Sequence, residues 1–317
     1  MATLANPGLE LPMGDPFVYG ESSAIQAVNQ IVSQILSTPI AVLLVGESGT
    51  GKEAYARLIH RLSAEAQLPI KKVSCTASDS GQVLSQVKAY LQAVEQSGKH
   101  GVGTLYLDGV DELDLGCQRM LASVLPDDGG DTNEMRVRLI SSSSRDLDPE
   151  VGLGRFRHDF YFRINGVCLR LPPLRERRED IPEFMTRFLA KYAAEQQRRP
   201  PQIGIEDMKI LMSYDWPGNA RELANLARKI IALGTPSVVI EELAKRPRTV
   251  TTADRGPETS SLKSASRAAS RLAERQLIHQ ALERTHWNRK RAAKELKISY
   301  KSLLYKIKQT GLEGAKS

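Results

Sequence analysis

Hydrophobic and polar positions follow two regimes along this 317-residue chain. In the first half, short runs of leucine and β-branched residues stop at glycine or aspartate, and stretches of helical period separate several of them. PIAVLLVG (39–46) reads as a buried parallel strand running into a glycine turn, and the helical pattern after it spans Lys52 to about Ser63. IKKVSC (70–75), GTLYLDGV (103–110) and VRLISSSS (137–144) are further strand candidates, with an amphipathic helix around VLSQVKAYLQAVEQ (83–96). Strands alternating with helices predict a parallel α/β sheet. After LPPLRERREDIP (171–182) only helical period remains, in FMTRFLAKYAAEQQ (184–197), IEDMKILMSY (205–214) and NARELANLARKIIALG (219–234). These predict a small all-α subdomain.

Periodicity then lapses. KRPRTVTTADRGPETSSLKSA (245–265) is polar and rich in turn formers, as a flexible linker is, and helical signal resumes near Ala268. The expected organisation is a tail over 1–16, an α/β unit over 17–183, an α-helical unit over 184–244, a linker over 245–267 and a C-terminal unit over 268–317. No internal repeat is present.

Charge sharpens this division. The net charge is +7, yet residues 271–317 carry 12 Lys/Arg against 4 Asp/Glu, and 245–270 carry 6 against 2. Residues 1–244 are acidic, with 26 against 31. The basic excess therefore sits in the last quarter, where a polyanion partner is expected. No apolar run reaches the roughly 18 residues of a membrane span. The first residues lack the basic start and apolar core of a secretion signal. Three widely spaced cysteines, Cys75, Cys117 and Cys168, argue against a disulfide framework and fit a reducing cytoplasm.

The candidate chemistry begins at Gly46-Glu47-Ser48-Gly49-Thr50-Gly51-Lys52, which closes a strand and opens a helix. That is a P-loop in spacing and context. Its glycines let backbone N–H groups turn toward phosphates, and Lys52 supplies a point charge to the β/γ oxygens. The next position, commonly Ser or Thr for magnesium, is Glu53.

The same run with Glu53 resembles the AAA+ activators of sigma-54 RNA polymerase, the bacterial enhancer-binding proteins. The likeness continues, in order, through YGESSAIQAV (19–28), GESGTGKEAYARLIH (46–60), VSC (73–75), GTLYLD (103–108), VRLISSSSRDL (137–147), FRHDFYFRINGV (156–167), LPPLRERREDIP (171–182) and WPGNARELANL (216–226). It implies an AAA+ P-loop α/β domain with a parallel sheet and an all-α lid. It also implies ATP or ADP with Mg2+ as cofactors, bound between subunits of a ring, usually a hexamer. By that likeness Gly46 to Glu53 cradle the nucleotide, Lys52 holds phosphates and Asp108 holds magnesium. Ser143 and Ser144 fall in the sensor I region. Arg221 matches the sensor II arginine of the lid, and Arg157 and Arg163 match the pair offered in trans to a neighbour's γ-phosphate.

Two departures change what the likeness implies. The family reads Leu-Asp-Glu where this chain has Leu107-Asp108-Gly109. Losing a group that polarises the attacking water commonly costs on the order of 10²–10⁴-fold in rate. Glu112 aligns with a different family glutamate. The family also carries a Gly-Ala-Phe-Thr-Gly-Ala loop that touches sigma-54. Only 27 residues separate Cys75 from Gly103 here, and nothing among them resembles it. The segment reads as one helix and a Ser-Gly turn.

The end of the chain, LIHQALERTHWNRKRAAKELKISYKSLLYKIKQTGL (277–312), resembles the Fis-type helix-turn-helix of most family members. Ala292, Ala293 and Leu296 share one helix face, Ile298 lies in the turn, and Leu303, Leu304 and Ile307 share the face of a second helix. The resemblance places Ser299, Tyr300, Lys301, Ser302, Tyr305 and Lys306 toward double-stranded DNA, with Arg289, Lys290 and Arg291 near phosphates. It implies a dimer through this unit and a palindromic site. With only 16 residues ahead of Phe17, no sensory domain is expected before the ATPase module. The leading expectation is a cytoplasmic, nucleoid-bound, ATP-binding regulator with weak or no hydrolysis and no direct sigma-54 remodelling. The alternatives are an ATP-hydrolysing activator of sigma-54 polymerase and a partner subunit in mixed rings with a related AAA+ regulator.

Overall fold

The computed structural model describes residues 17–63, 69–76, 79–96, 103–126 and 137–244, together with Thr285, Arg291, Ala292, Ala293 and Leu303. The chain divides into two units, 1–248 and 249–317.

The first unit is built on five strands: β1 (Val42–Val45), β2 (Ile70–Ser74), β3 (Gly103–Asp108), β4 (Val137–Ser143) and β5 (Val167–Arg170). They form one sheet in the order β2-β3-β4-β1-β5, and every pairing is parallel. Such a sheet needs cover on both faces, which explains why all four residues of β1 are buried and apolar. Alternation along the strands divides the core. Leu43, Val45, Val73, Leu105, Leu107 and Leu139 face one cluster with residues of α3 (Ser80–Gln96), α4 (Leu115–Val124) and α6 (His158–Ile164). Val42, Leu44, Tyr106, Ile140 and Leu169 face the other, with α1 (Ser23–Ile35) and α2 (Lys52–Leu62).

The four expected strands and the helices after β1 and β2 are present. α3 starts at Ser80 rather than Val83, because the Asp79 carbonyl accepts from the amides of Gln82 and Val83 and supports a polar first turn. Helix α1 and strand β5 carried too little pattern to be expected. β5 is four residues long with only Leu169 buried, and its place is set by pairing with β1. A short helix α5 (Asp148–Gly152) joins β4 to α6.

Helices α7 (Ile181–Glu195), α8 (Ile205–Ser213), α9 (Asn219–Leu233) and α10 (Pro236–Ala244) form the all-α part of this unit. They pack around the fully buried Trp216, whose indole N–H donates to the Leu211 carbonyl at 2.8 Å. α10 had no sequence expectation of its own, because its nine residues follow directly on the Gly234 cap of α9. Among the described residues no helix is long and apolar enough to cross a membrane.

Of the second unit, residues 291–293 are helical, with Arg291 exposed and Ala292 and Ala293 buried, and Leu303 is buried. Those burials follow the apolar faces expected from the sequence. Arg289, Lys290, Ser299, Tyr300, Lys301, Ser302, Tyr305 and Lys306 lie outside the described residues.

Candidate functional site

The site is assembled where the carboxyl ends of β1, β3 and β4 meet the helical subdomain. The loop leaving β1 turns on Gly46, whose amide donates to the Ser143 carbonyl at 3.2 Å. Gly49 sits at φ +82°, and a Cβ there would lie 2.2 Å from the Gly218 carbonyl oxygen, so the close approach of the lid backbone requires glycine. Helix α2 then begins at Lys52 and points its N-terminus into the cavity.

Lys52 folds back on the loop. Its Nζ donates to the carbonyls of Gly46 at 2.5 Å and Glu47 at 3.0 Å. Burial holds its pKa below the ordinary lysine value, and the nearby carboxylates of Asp111 and Asp108 oppose that shift. Lys52 is thus an ammonium held by carbonyls, which an anionic ligand can recruit.

The lid closes over the loop through α9. The Ala220 amide donates to the Gly49 carbonyl at 3.0 Å, and Asn219 Nδ2 donates to the Ser48 carbonyl at 3.0 Å and to Glu47 at 3.1 Å. Arg221 Nη1 donates to Ser48 Oγ at 2.7 Å. Glu47 receives both arms of Arg175, at 2.7 and 2.9 Å. The Arg175 hydrogen bonds hold the Glu47 carboxyl below its ordinary pKa, and Asn219 adds to the effect. Glu47 therefore clasps loop, connector and lid, a role sequence reasoning did not separate from phosphate binding.

Asp108 ends β3 on the sheet face shared with Tyr106, Ser142 and Lys72. Its Oδ1 accepts from Ser142 Oγ at 2.7 Å and Tyr106 OH at 2.9 Å. Its Oδ2 lies 2.8 Å from Lys72 Nζ, which is also 2.6 Å from Glu53 Oε2. Burial alone would raise the pKa of Asp108, but hydrogen bonds from Lys72, Ser142 and Tyr106 outweigh it and hold the carboxyl low. Of the serines closing β4, Ser142 reaches Asp108, whereas Ser143 Oγ turns to the Arg145 carbonyl at 2.5 Å. Ser144 Oγ and N–H both donate to Asp111, at 2.5 and 3.2 Å. Strand alternation decides between Ser142 and Ser143, since only the former shares Asp108's face.

Gly109 follows at φ +84°, and its amide donates to the Ser142 carbonyl at 3.0 Å. No carboxylate occupies that position. Asp111 and Glu112, on the short 3₁₀ turn Val110–Glu112, do line the cavity.

These groups surround a cavity of about 660 Å³ lined by residues 48–55, Asp108, Gly109, Ser142, Ser144 and Arg221, with Phe17, Val18, Arg177, Phe184 and Phe188 forming part of its wall. Its size suits one nucleotide-sized ligand. Arg177 is buried with one arm on the Thr50 carbonyl at 2.7 Å and its guanidinium over Phe184, and sequence reasoning gave it no role. Arg157 and Arg163 do not line this cavity. Arg157 pairs with Asp159 at 2.7 Å, and Arg163 donates to the Leu125 carbonyl. Among the described residues no group of three or more metal-ligating side chains occurs. A magnesium ion commonly needs only one or two carboxylates when phosphates and water complete its shell; Asp108 and Glu53 supply that number, but Lys72 already engages both.

Comparison with known proteins gives the family and the fold. Residues 18–170 match the Sigma-54 interaction domain, residues 175–259 the AAA+ ATPase lid domain, and residues 269–309 the bacterial regulatory proteins of the Fis family. The chain is 34% identical to response regulator protein PilR of Pseudomonas aeruginosa over 98% of its own length and 73% of PilR. It is 32% identical to regulatory protein AtoC of Escherichia coli over 94% of its length and 68% of AtoC. Among solved structures, NtrX of Brucella abortus in complex with ADP superposes with a TM-score of 0.61 at 25% identity, covering 94% of this chain and 69% of NtrX. NtrX in complex with ATP gives 0.57 at 26%, over 93% and 69%.

Proposed function

Because the chain belongs to the sigma-54-dependent transcriptional regulators, with an AAA+ module and a Fis-type helix-turn-helix, we propose that it binds ATP or ADP as an assembly ligand and hydrolyses it weakly or not at all. The observation that supports this reading is a cavity lined by the glycine loop, Lys52, Asp108 and Arg221 beside a position 109 that bears no carboxylate.

Lys52 leaves the carbonyls of Gly46 and Glu47 for the β/γ oxygens, and the amides of 49–52 at the start of α2 face the phosphates. Arg221 adds charge from the lid, so ligand binding and lid position are coupled through Ser48 and Asn219. Asp108 and Glu53 are the residues that would hold magnesium if the ion displaced Lys72 from them, and it would then neutralise phosphate charge. Arg157 and Arg163, which do not line the cavity of their own chain, serve a neighbour's nucleotide in a ring.

Without a glutamate at 109, and without a Gly-Ala-Phe-Thr-Gly-Ala loop between β2 and β3, the protein regulates promoters without remodelling sigma-54 polymerase. It acts in the bacterial cytoplasm on the nucleoid. Residues 268–317 dimerise on a palindromic duplex, reading bases through Ser299, Tyr300, Lys301, Ser302, Tyr305 and Lys306 and phosphates through Arg289, Lys290 and Arg291. A second reading, a subunit of mixed rings with a related AAA+ regulator, is favoured by the retention of both arginines where the hydrolytic carboxylate is lost. Transcription from a sigma-54 promoter with purified polymerase separates these readings. The leading one expects no open complexes from this protein alone, with or without ATP. Activation by the protein alone would overturn it, and activation only with an added paralogue would favour mixed rings.

A further inference from the structure

Lys72 was not singled out by any motif, yet it pairs with two carboxylates that line the cavity. It sits on the edge strand β2, in register with Tyr106, with Ser74 in register with Asp108. Its ammonium is 2.6 Å from Glu53 Oε2 and 2.8 Å from Asp108 Oδ2, and lies 5.8 Å from the centroid of the Tyr106 ring. The remaining oxygens are also engaged. Asp108 Oδ1 accepts from Ser142 and Tyr106, and Glu53 Oε1 accepts from Arg57 at 2.7 Å. The two carboxylates expected to meet a divalent ion are therefore balanced by two cations of the chain itself.

We propose that Lys72 is a resident cation of the nucleotide site, which stands in for a divalent ion at Asp108 and Glu53 and lets the chain bind metal-free nucleotide. This inference rests on the nucleotide-binding reading above. Two bare carboxylates at the mouth of a phosphate site would repel an incoming polyphosphate, and a divalent ion normally removes that repulsion. Lys72 removes it without a metal. A divalent ion arriving at the same oxygens must displace an ammonium tethered by its own strand, and then sit beside it at like charge. Magnesium, which dehydrates reluctantly, gains little from that exchange. Lys72 is a positioning residue for the carboxylates and is given no part in chemistry.

The test titrates a fluorescent ADP analogue into the full chain with magnesium and with EDTA, and measures binding of Mn2+ alone by water-proton relaxation. For the wild-type chain the two nucleotide affinities are expected within about threefold of each other, and Mn2+ alone binds weakly. Lys72→Met is expected to lose about tenfold or more in EDTA, to recover with magnesium, and to bind Mn2+ more tightly than the wild type. Lys72→Arg keeps the charge and is expected to behave as the wild type, which covers a Lys72→Met protein that fails to fold. A wild-type chain that loses tenfold or more in EDTA overturns the inference, as does a Lys72→Met protein with an unchanged magnesium dependence. If neither protein binds nucleotide in either condition, the nucleotide-binding reading fails, and Mn2+ still decides the role of Lys72. Tighter Mn2+ binding by Lys72→Met supports it, and equal binding contradicts it.

Discussion

A Cβ built on Gly109 would lie 2.4 Å from Thr76 Cγ2, across the gap between the ends of β3 and β2. The two residues are therefore coupled: a side chain at 109 requires the Thr76 methyl to move. Gly109 also holds φ +84°, where an L residue costs roughly 1–2 kcal/mol. Gly109→Glu alone is expected to lower Tm by several degrees, since each 1 kcal/mol moves a domain of this size by about 2–4 °C. It should not restore turnover. Adding Thr76→Ala removes the clashing methyl and should recover part of the Tm, which differential scanning calorimetry reads directly. A Gly109→Glu protein as stable as the wild type would show that the two positions are not coupled.

The Glu47 clasp predicts a link between loop and lid. Glu47→Gln keeps the shape but gives up the charged pairing with Arg175. Both side chains are partly exposed, so screening keeps the loss near about 1 kcal/mol. Limited proteolysis should show faster cleavage in the connector 171–180, and nucleotide should protect it less than in the wild type. Unchanged cleavage would mean that the Asn219 side-chain amide and the Ala220 backbone amide, both donating to loop carbonyls, hold the lid by themselves.

Acid should act on the same site with a definite sign. Glu47, Glu53 and Asp108 are held below the ordinary 4.5, 4.5 and 3.8. Their contribution is present above those values and is lost as pH falls through the lower folded ones, so Tm should be flat from pH 8 to about 5 and fall below about 4. In Lys72→Met, Asp108 and Glu53 lose their shared cation, so the gap to the wild type should be full from pH 7.5 to about 5 and shrink below about 4, as both carboxylates protonate. A gap that stays the same from pH 7.5 to about 3 would argue against the Lys72 pairing.

For the C-terminal unit, Arg289→Ala, Lys290→Ala and Arg291→Ala together should weaken binding to specific and random duplexes alike. The slope of log affinity against log salt should fall by about one for each phosphate that is no longer neutralised. Ser302→Ala and Tyr305→Phe should instead narrow the gap between specific and random duplex. Fluorescence anisotropy at several salt concentrations distinguishes the two effects.

Much of this was legible from the chain before its fold was seen. The glycine loop between a β-branched run and a helix announces itself through strict local spacing, and Asp108 through the apolar strand it ends. Lys72 was harder to read. Two lysines in IKKVS look like a solvated edge, and nothing local says that one of them crosses to β3 and α2. The only hint was a charge pair inside a strand otherwise expected to be buried. The choice of Ser142 over Ser143 needed the strand's facing, which a run of four serines hides. Glu47 reads as a phosphate-loop residue until Arg175 and Asn219, more than a hundred positions away, are brought against it. The conformation of Gly109 was equally invisible: the sequence shows a missing glutamate, whereas the backbone holds the position at φ +84° with the Thr76 methyl against it.

The central claim is nucleotide binding without productive hydrolysis, and the most direct test measures both on one sample of the full chain. Equilibrium titration with a fluorescent ATP analogue is run beside phosphate release from ATP. The account predicts saturable binding that Lys52→Ala weakens by roughly tenfold or more, with turnover on the order of 10²-fold or more below an intact family member. Turnover equal to that of an intact member, lost in an Asp111→Asn or Glu112→Gln variant, would contradict it and place the hydrolytic carboxylate on the turn after Gly109.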